Sequence, residues 1–178
     1  MASTLRPNAY LLLSEKRAML CGMSNEELAY LAGLIDGEGT ISFFFKRTTN
    51  LNQVTQPYVS ISNTNIKMRD WILERIGQGS CGSPSGKQSR ENGWKRCYNV
   101  LWTGPMAIAI IEAVFPFLVL KKPNAQWVLG LFRMEKSVLS NAGRTRFSKV
   151  FPRPHELTFQ QNAAYSAVRR LNTRGVAA

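Results

Sequence analysis

The chain has 178 residues, 44% of them hydrophobic, which is enough to bury a core in one compact domain or in half of a symmetric assembly. Its 23 lysine and arginine residues against 11 acidic residues give a formal net charge of +12, which favours nucleic acid or an anionic membrane surface as the partner. The membrane alternative is weak, because the longest apolar run, 106–120, contains Glu112 and Pro116 and is shorter than the ~20 residues of a membrane span.

Residues 1–23 are predicted to be an N-terminal extension, with an apolar patch too short and too late for a signal peptide. The single histidine, His155, argues against a zinc site of the usual ligand types. The three cysteines form no CxxC pair, so reduced thiols inside a cell are expected for Cys21, Cys81 and Cys97. An intracellular location is therefore predicted, either in a chloroplast or mitochondrion or in a prokaryotic or phage-infected cytoplasm.

The first predicted helix of the main domain starts at a capping box, with Ser24 as the N-cap and Glu27 three residues later. Apolar residues then recur at helical spacing on one face: Leu28, Leu31, Ala32 and Ile35. Ala32 and Gly33 keep this face small enough for the backbone of a second helix to approach.

The same helix ends in the sequence LAGLIDGEG, residues 31–39, which places Asp36 and Glu38 at its carbonyl end. That end exposes unpaired carbonyl groups and carries about half a negative charge. Two carboxylates there destabilise the helix unless a cation lies beside them. The sequence therefore predicts a cation at this position.

The remaining elements alternate between strands and helices. Strands are predicted over 40–47, 57–63 and 94–102, with a shorter strand and a long basic hairpin tip within 77–93. Helices are predicted over Lys67–Ile76, over Pro105–Val114, from about Lys121 to about Lys136, and over Glu156–Leu171. This order indicates an α+β fold in which a four-stranded antiparallel sheet is backed by helices.

Strand alternation separates two faces of the predicted sheet. Ile41, Phe43 and Phe45 on the first strand, with Val59 and Ile61 on the second, are predicted to face the helices. The opposite face and the hairpin tips are rich in hydroxyl, amide and basic groups, as in proteins that contact base edges and phosphates in a DNA groove. The alternative is an ordinary solvated sheet face. The candidate DNA-contacting residues are Ser42, Phe44, Lys46, Arg47, Gln56, Tyr58, Ser60, Ser62, Lys87, Arg90, Lys95, Arg96 and Asn99.

The segment LAGLIDGEG closely resembles the signature of the LAGLIDADG homing endonucleases, with Gly-Glu in place of the central Ala-Asp. The resemblance extends over about residues 24–136 and is greatest to the single-motif, homodimeric branch. It implies an αββαββα core with a saddle-shaped four-stranded sheet and additional C-terminal helices. The domain is placed at residues 24–140, followed by a basic C-terminal segment over 141–178.

The resemblance also implies a metal site at the end of the signature. The acid at the eighth position, here Glu38, would ligate Mg²⁺, with Mn²⁺ as a substitute, assisted by the main-chain carbonyl of Gly37. Asp36, at the sixth position, would be structural or would act on the site indirectly.

Three further positions carry over from the family. TNIKMRDW resembles the stretch whose amide and basic residues surround the nucleophilic water, here Asn65 and Arg69, although close relatives have glutamine in place of Asn65. PFLVLKK, residues 116–122, resembles the stretch that supplies the catalytic lysine, here Lys121, with Lys122 as the alternative register. For both lysines the simpler alternative is contact with a phosphate or with solvent.

The implied function is site-specific cleavage of both DNA strands across the minor groove of a long pseudo-palindromic target, leaving short 3′ overhangs. Two active sites require two motif helices, so the expected assembly is a C2 homodimer on about 20 base pairs of double-stranded DNA. Its interface is predicted at Leu28, Leu31, Ala32, Gly33 and Ile35.

The alternatives to a nuclease are an RNA maturase that binds intron RNA, a nuclease-dead DNA-binding regulator and a basic structural or ribosome-associated protein. The presence of Glu38 together with Arg69 and Lys121 favours the nuclease, because a protein that only binds DNA has no need of a carboxylate facing phosphates. A structural or ribosome-associated protein would leave the glycine-flanked acids unexplained.

Overall fold

The structure is a computed structural model that describes residues 9–47, 53–77, 79–82, 96–141 and 155–173. It confirms an α+β fold with an αββαββα core, preceded by one helix and followed by two. The elements in chain order are α1 (Ala9–Leu20), α2 (Asn25–Glu38), β1 (Gly39–Arg47), β2 (Gln53–Asn63), α3 (Ile66–Ile76), β3 (Ser80–Gly82), β4 (Tyr98–Thr103), α4 (Pro105–Val114), α5 (Lys122–Asn141) and α6 (His155–Leu171).

Helix α2 begins at the predicted capping box and runs directly into β1. The Ser24 side chain accepts a hydrogen bond from the backbone N–H of Glu27, whose carboxylate accepts one from the backbone N–H of Ser24 at 2.9 Å. At the other end the backbone N–H of Gly39 donates to the carbonyl of Ile35. A Cβ at Gly39 would lie 2.7 Å from the Ile35 Cα, so the junction between helix and strand requires a residue without a side chain.

The four strands form one antiparallel sheet in the order β1-β2-β4-β3. Ile41 pairs with Val59, and Ile61 pairs with Val100, so the apolar residues of neighbouring strands lie side by side. The predicted alternation is confirmed on the helix-facing side by Ile41, Phe43, Val59 and Ile61, which are buried, whereas the side chain of Phe45 lies outside the described part of the structure. Val100 and Trp102 of β4 are also buried.

Helix α4 lies at the centre of the helix layer. It starts after Gly104, which has a positive φ of 62°, and Pro105 opens its first turn without loss of a needed N–H donor. The helix is apolar on most of its circumference and contacts α1, α2, β2, β4 and α5. Its buried residues are Met106, Ala107, Ile108, Ala109, Ile110, Ile111 and Val114.

The main departure from the sequence expectation is α1, since residues 1–23 were expected to be an extension without assigned structure. The helix packs on α4, where Leu20 is buried. The Arg17 guanidinium donates two hydrogen bonds of 2.8 Å to the Glu112 carboxylate. Three consecutive leucines, residues 11–13, give α1 no helical spacing of apolar residues, so periodicity did not reveal it.

Several boundaries also differ from those predicted. Strand β2 begins at Gln53, within the predicted loop of residues 48–56. Strand β4 covers Tyr98–Thr103 rather than 94–102, and α5 continues to Asn141. The helix Pro105–Val114 has the predicted bounds, and α3 and α6 each begin one residue earlier than predicted.

Three of the five residues predicted at the α2 interface are buried within the subunit itself. Leu31, Ala32 and Ile35 have 0% exposed surface within one subunit, because this apolar face packs into the subunit's own core. Leu28 is half-buried, and Gly33 is exposed. The solvent-exposed side of α2 instead carries Ala29, Tyr30, Gly33 and Gly37.

Two further expectations concern the environment of the chain. Cys21, Cys81 and Cys97 are free thiols, as expected from their spacing. Among the helices that the structure describes, none combines the length and the apolarity needed to cross a membrane.

A substitution of Gly39 tests the junction between α2 and β1. In Gly39→Ala the new Cβ would lie 2.8 Å from the Ile35 carbonyl oxygen and 3.1 Å from the Ser60 carbonyl oxygen, and these backbone atoms cannot rotate away. We expect the free energy of unfolding to fall by about 1–3 kcal/mol, measured by denaturant titration. Gly130→Ala, at an exposed position of α5 with open space around the new Cβ, is the control and should raise stability by about 0.5–1 kcal/mol.

Candidate active site and nucleic-acid face

The Asp36 carboxylate connects the last turn of α2 to the segment that precedes α5. Its Oδ2 atom accepts a hydrogen bond from the backbone N–H of Val119 at 2.7 Å, and its Oδ1 atom accepts one from the backbone N–H of Lys121 at 2.8 Å. In return the Lys121 ammonium donates to the main-chain carbonyl of Asp36. We call this reciprocal arrangement the Asp36–Lys121 clamp.

The clamp supplies a cation at the negative end of α2. The Asp36 carbonyl is one of the last four of the helix, which lack an intrahelical donor, so the Lys121 ammonium satisfies a group that would otherwise have none. A positive charge there also interacts favourably with the helix dipole. The predicted need for a cation is therefore met in part by the chain itself.

Glu38 lies two residues further along and behaves differently from Asp36. Its side chain is exposed, and among the described residues its carboxylate has no hydrogen-bond or ion-pair partner. Gly37 beside it is also exposed. The helix thus ends in a free carboxylate flanked by main-chain carbonyls, which are the oxygen ligands that hard divalent cations prefer.

The electrostatic environment of Lys121 links it to both acids. Burial lowers the pKa of the Lys121 ammonium, whereas the negative charges of Asp36 and Glu38 raise it. The effect of burial is larger, so the pKa is lower than that of an ordinary lysine. Lys121 is therefore a stronger acid than a lysine in water, and it lies within the electric field of Glu38. The structure brings these two predicted catalytic residues together.

Asn65 caps the N-terminus of α3. Its side-chain Oδ1 atom accepts a hydrogen bond from the backbone N–H of Lys67 at 2.9 Å. The backbone N–H of Asn65 donates to Oδ1 of Asn63 at 2.8 Å. Since its oxygen already caps the helix, the Nδ2 group is the part of this amide that remains for a water or a phosphate.

Arg69 belongs to a different cluster from Lys121. Its Nε atom donates to Asp70 at 2.8 Å, a bond that raises the pKa of the guanidinium and keeps it charged. The charged or titratable groups that act on Arg69 are Asp70, Cys81 and Tyr98, and Glu38 is not among them. The family resemblance predicted Arg69 near the reacting water, and in the structure its guanidinium binds its sequence neighbour Asp70.

Tyr98 is a residue that the sequence argument did not select. The guanidinium of Arg69 lies 4.7 Å from the centre of the Tyr98 ring, and that of Arg96 lies 5.5 Å from it. One ring thus holds two arginines at the start of β4. The position of Tyr98 two residues after Arg96 could have indicated a contact between these two side chains. The contact with Arg69 could not be predicted from local sequence, because Arg69 belongs to α3.

The outer face of the sheet is polar with one aromatic pair. Phe44 and Tyr58 stack with ring centres 4.1 Å apart and an angle of 15° between their planes. The Ser62 hydroxyl donates to Oδ1 of Asn99 at 3.1 Å, on the two central strands. Four of the predicted contact residues therefore come together in two pairs on this face.

The other predicted contact residues differ in their exposure. Ser42 is only 8% exposed and lies opposite Tyr58 in the strand register. Gln56 and Ser60 are half-buried. Lys46 and Arg47 are placed on β1 only by their strand pairing with Val54 and Gln53. Outside the described residues lie Lys87, Arg90 and Lys95.

No cluster of three or more histidine, cysteine, aspartate or glutamate residues suited to a metal occurs among the residues that the structure describes. The described part of one subunit therefore offers Glu38 and neighbouring carbonyls rather than a closed cage of protein ligands. Mg²⁺ is commonly held in this way, through one or two carboxylates with several retained waters.

Comparison with family models finds no match to this sequence. Comparison with curated proteins finds none either.

Comparison with solved structures does find relatives in fold. The homing endonuclease I-CvuI, in complex with the I-CreI target and 2 mM Mg, superposes with a TM-score of 0.51 at 16% identity, over 81% of this chain and 95% of that chain. I-CvuI in complex with its own target and 2 mM Ca gives a TM-score of 0.50 at 15% identity, over 89% of this chain and 97% of that chain. I-SmaMI bound to an uncleaved DNA target with calcium ions gives a TM-score of 0.55 at 12% identity, over 82% of this chain and 46% of that chain. These neighbours are LAGLIDADG homing endonucleases, and the chain has their fold.

The different roles of the two acids at the end of α2 can be tested by stability alone. In Asp36→Asn an amide N–H would face one of the two backbone N–H donors of the clamp, and the free energy of unfolding should fall by about 1–3 kcal/mol. Glu38→Gln removes a charge that has no partner in the described chain and that the helix end repels, so stability should stay equal or rise by a few tenths of a kcal/mol. Denaturant unfolding without divalent cations measures both, and equal effects of the two substitutions would contradict the assignment.

Proposed function

We propose that the protein is a metal-dependent, site-specific endonuclease that cleaves double-stranded DNA as a homodimer. The observation that carries this proposal is the end of α2, where an exposed carboxylate that has no partner among the described residues lies in the electric field of a half-buried lysine. This site adjoins a polar sheet face with basic residues, in a chain of formal charge +12. The fold neighbours named above were crystallised with DNA and with Mg or Ca, which supports the same conclusion.

Glu38 and the main-chain carbonyl of Gly37 are the groups that would hold a divalent cation, Mg²⁺ or Mn²⁺ in its place. Their fit rests on the free carboxylate of Glu38 and its exposure at the end of the helix. When bound, such an ion lowers the pKa of water and neutralises charge that develops on a phosphate.

The chain's own residues supply the remaining roles. Lys121, whose pKa is depressed by burial, can donate a proton or stabilise negative charge near the scissile phosphate. The clamp holds its backbone in place through the Asp36 carboxylate. The free amide group of Asn65 orients water, and the permanently charged Arg69 contacts a phosphate from its position on Tyr98.

The sheet face provides recognition. Side chains at alternate positions of β1, β2 and β4 point away from the core, and Tyr58, Ser62 and Asn99 can reach base edges in the major groove. Lysine and arginine residues contact phosphates without reading the sequence. Because two subunits double the charge of +12, binding should weaken steeply as salt concentration rises.

Dimerisation is proposed through the exposed side of α2 rather than through the buried side that the sequence pattern indicated. Gly33 and Gly37 are exposed one turn apart, and a Cβ at either position would meet nothing within 4 Å in the subunit. Val119 and Leu120, which the clamp holds beside this helix end, are 77% and 71% exposed. The part of this chain that matches I-SmaMI covers 46% of that chain, close to the half expected if two such units correspond to one I-SmaMI chain.

The cleavage proposal is tested on a randomised library of double-stranded DNA in Mg²⁺. Wild-type protein should cut a long, nearly symmetric sequence, and Glu38→Gln should bind it while cutting at least about a hundredfold more slowly. Glu74→Gln, at an exposed position of α3, is the matched control and should cut normally. Equal cutting by wild type and Glu38→Gln would overturn the metal assignment. DNA binding without cleavage by wild type would favour a regulator, and tighter binding to structured intron RNA would favour a maturase.

The dimer proposal is tested with Gly33→Leu. A leucine at this exposed position has free space in one subunit but would keep a second helix away, so the subunit should remain folded. Sedimentation should give twice the 20.0 kDa chain mass for wild type and a single chain mass for the variant. Gly130→Leu on α5 is the control and should remain dimeric. A dimeric Gly33→Leu would place the interface elsewhere.

A further inference from the structure

Phe44 is a large apolar side chain on the outer sheet face that has no part in the proposed cleavage chemistry. It is 41% exposed, whereas the preceding Phe43 is buried at 3% on the opposite face. Its neighbours on the outer face, Gln56 directly opposite and Tyr58 diagonally across, carry polar groups. An apolar ring on a polar recognition surface leaves hydrophobic area that a partner can remove from water.

The Phe44 ring is held in a fixed orientation. Tyr58 stacks on one of its faces at a centroid distance of 4.1 Å and an interplanar angle of 15°. The two residues lie on neighbouring strands whose register is fixed by continuous pairing from Gly39–Ile61 to Arg47–Gln53. A side chain that is already ordered loses little conformational entropy when it binds, so its remaining surface can contribute to specificity.

The major groove presents one apolar group, the C5 methyl of thymine, among base edges that are otherwise hydrogen-bond donors and acceptors. Serine, asparagine and tyrosine groups on the face can match the polar edges, but a phenyl ring cannot. We propose that Phe44, held by Tyr58, contacts the methyl group of a thymine and makes the protein prefer thymine at one position in each half of its target. This inference rests on the proposed binding of double-stranded DNA.

The position of this thymine follows from the strand. Phe44 lies six residues beyond Glu38 on a continuous backbone that leaves α2 and enters β1. At about 3.3 Å per residue this is about 20 Å, or about six base pairs at about 3.4 Å per base pair along the groove. The contacted thymine should therefore lie about six base pairs from the phosphate that is nearest to Glu38.

The test uses the target recovered from the library and replaces its thymines by deoxyuridine one at a time. Uracil keeps the base pair and removes only the methyl group. At one position about six base pairs from the cleavage site, deoxyuridine should weaken binding of the wild type about fourfold, the effect of exposing one methyl-sized group. Phe44→Ala should bind thymine and deoxyuridine equally at that position, and Phe44→Leu, which keeps an apolar contact, should retain most of the difference.

Phe159→Ala is the matched control, because this phenylalanine is 71% exposed on α6 and outside the sheet. It should show the full fourfold difference, and equal thermal unfolding of the variants excludes a loss of fold. A wild type that is insensitive to deoxyuridine throughout the target would overturn the inference, as would equal sensitivity of wild type and Phe44→Ala. Stronger effects of Phe44→Ala on single-stranded than on duplex DNA would overturn it in favour of stacking on an unpaired base. Failure of the wild type to bind duplex DNA at all would instead overturn the proposed function.

Discussion

The Asp36–Lys121 clamp is the interaction on which the arrangement of the site depends. It joins two segments 85 residues apart in sequence and fixes the end of α2 against the segment that leads into α5. Two acids separated by one glycine thereby acquire opposite roles. Asp36 has both carboxylate oxygens and its carbonyl hydrogen-bonded by the chain. Glu38 has no such partner in the described part of the chain and lies in the electric field of Lys121.

The direct passage from α2 into β1 gives this local arrangement a wider consequence. Because Gly39 admits a sharp junction without an intervening loop, Glu38 and the outward-facing residues of β1 belong to one continuous backbone. The distance between the candidate cleavage site and the recognition face is then set by strand geometry and not by a mobile connection. Residues on the other side of the same strand pack in the core. This close packing holds the strand, and with it the face that would read DNA, in a fixed position.

The parts of the fold that could be predicted from sequence are those with local causes. A capping box fixed the start of α2, period-two alternation fixed the buried side of β1 and β2, and a proline at the first position fixed the start of α4. The partner of the apolar face of α2 could not be predicted in this way. Whether that face packs into the subunit's own core or against a second copy depends on contacts with α4 and the sheet. Arg69 shows the same limit, because its position depends on Asp70 and on a tyrosine from a strand that lies 29 residues further along the chain.

Charge explains why the proposed site should require a divalent cation even though Lys121 is present. In the proposed dimer two helix ends of partial negative charge, two Glu38 carboxylates and the DNA phosphates would converge on one region. The clamp contributes one lysine for each subunit, but burial already weakens its hold on a proton, and its hydrogen bond is directed at the Asp36 carbonyl and not at Glu38. Lys121 therefore balances the helix end within a subunit, and in the proposed dimer the Glu38 carboxylate would be balanced by a cation from solution.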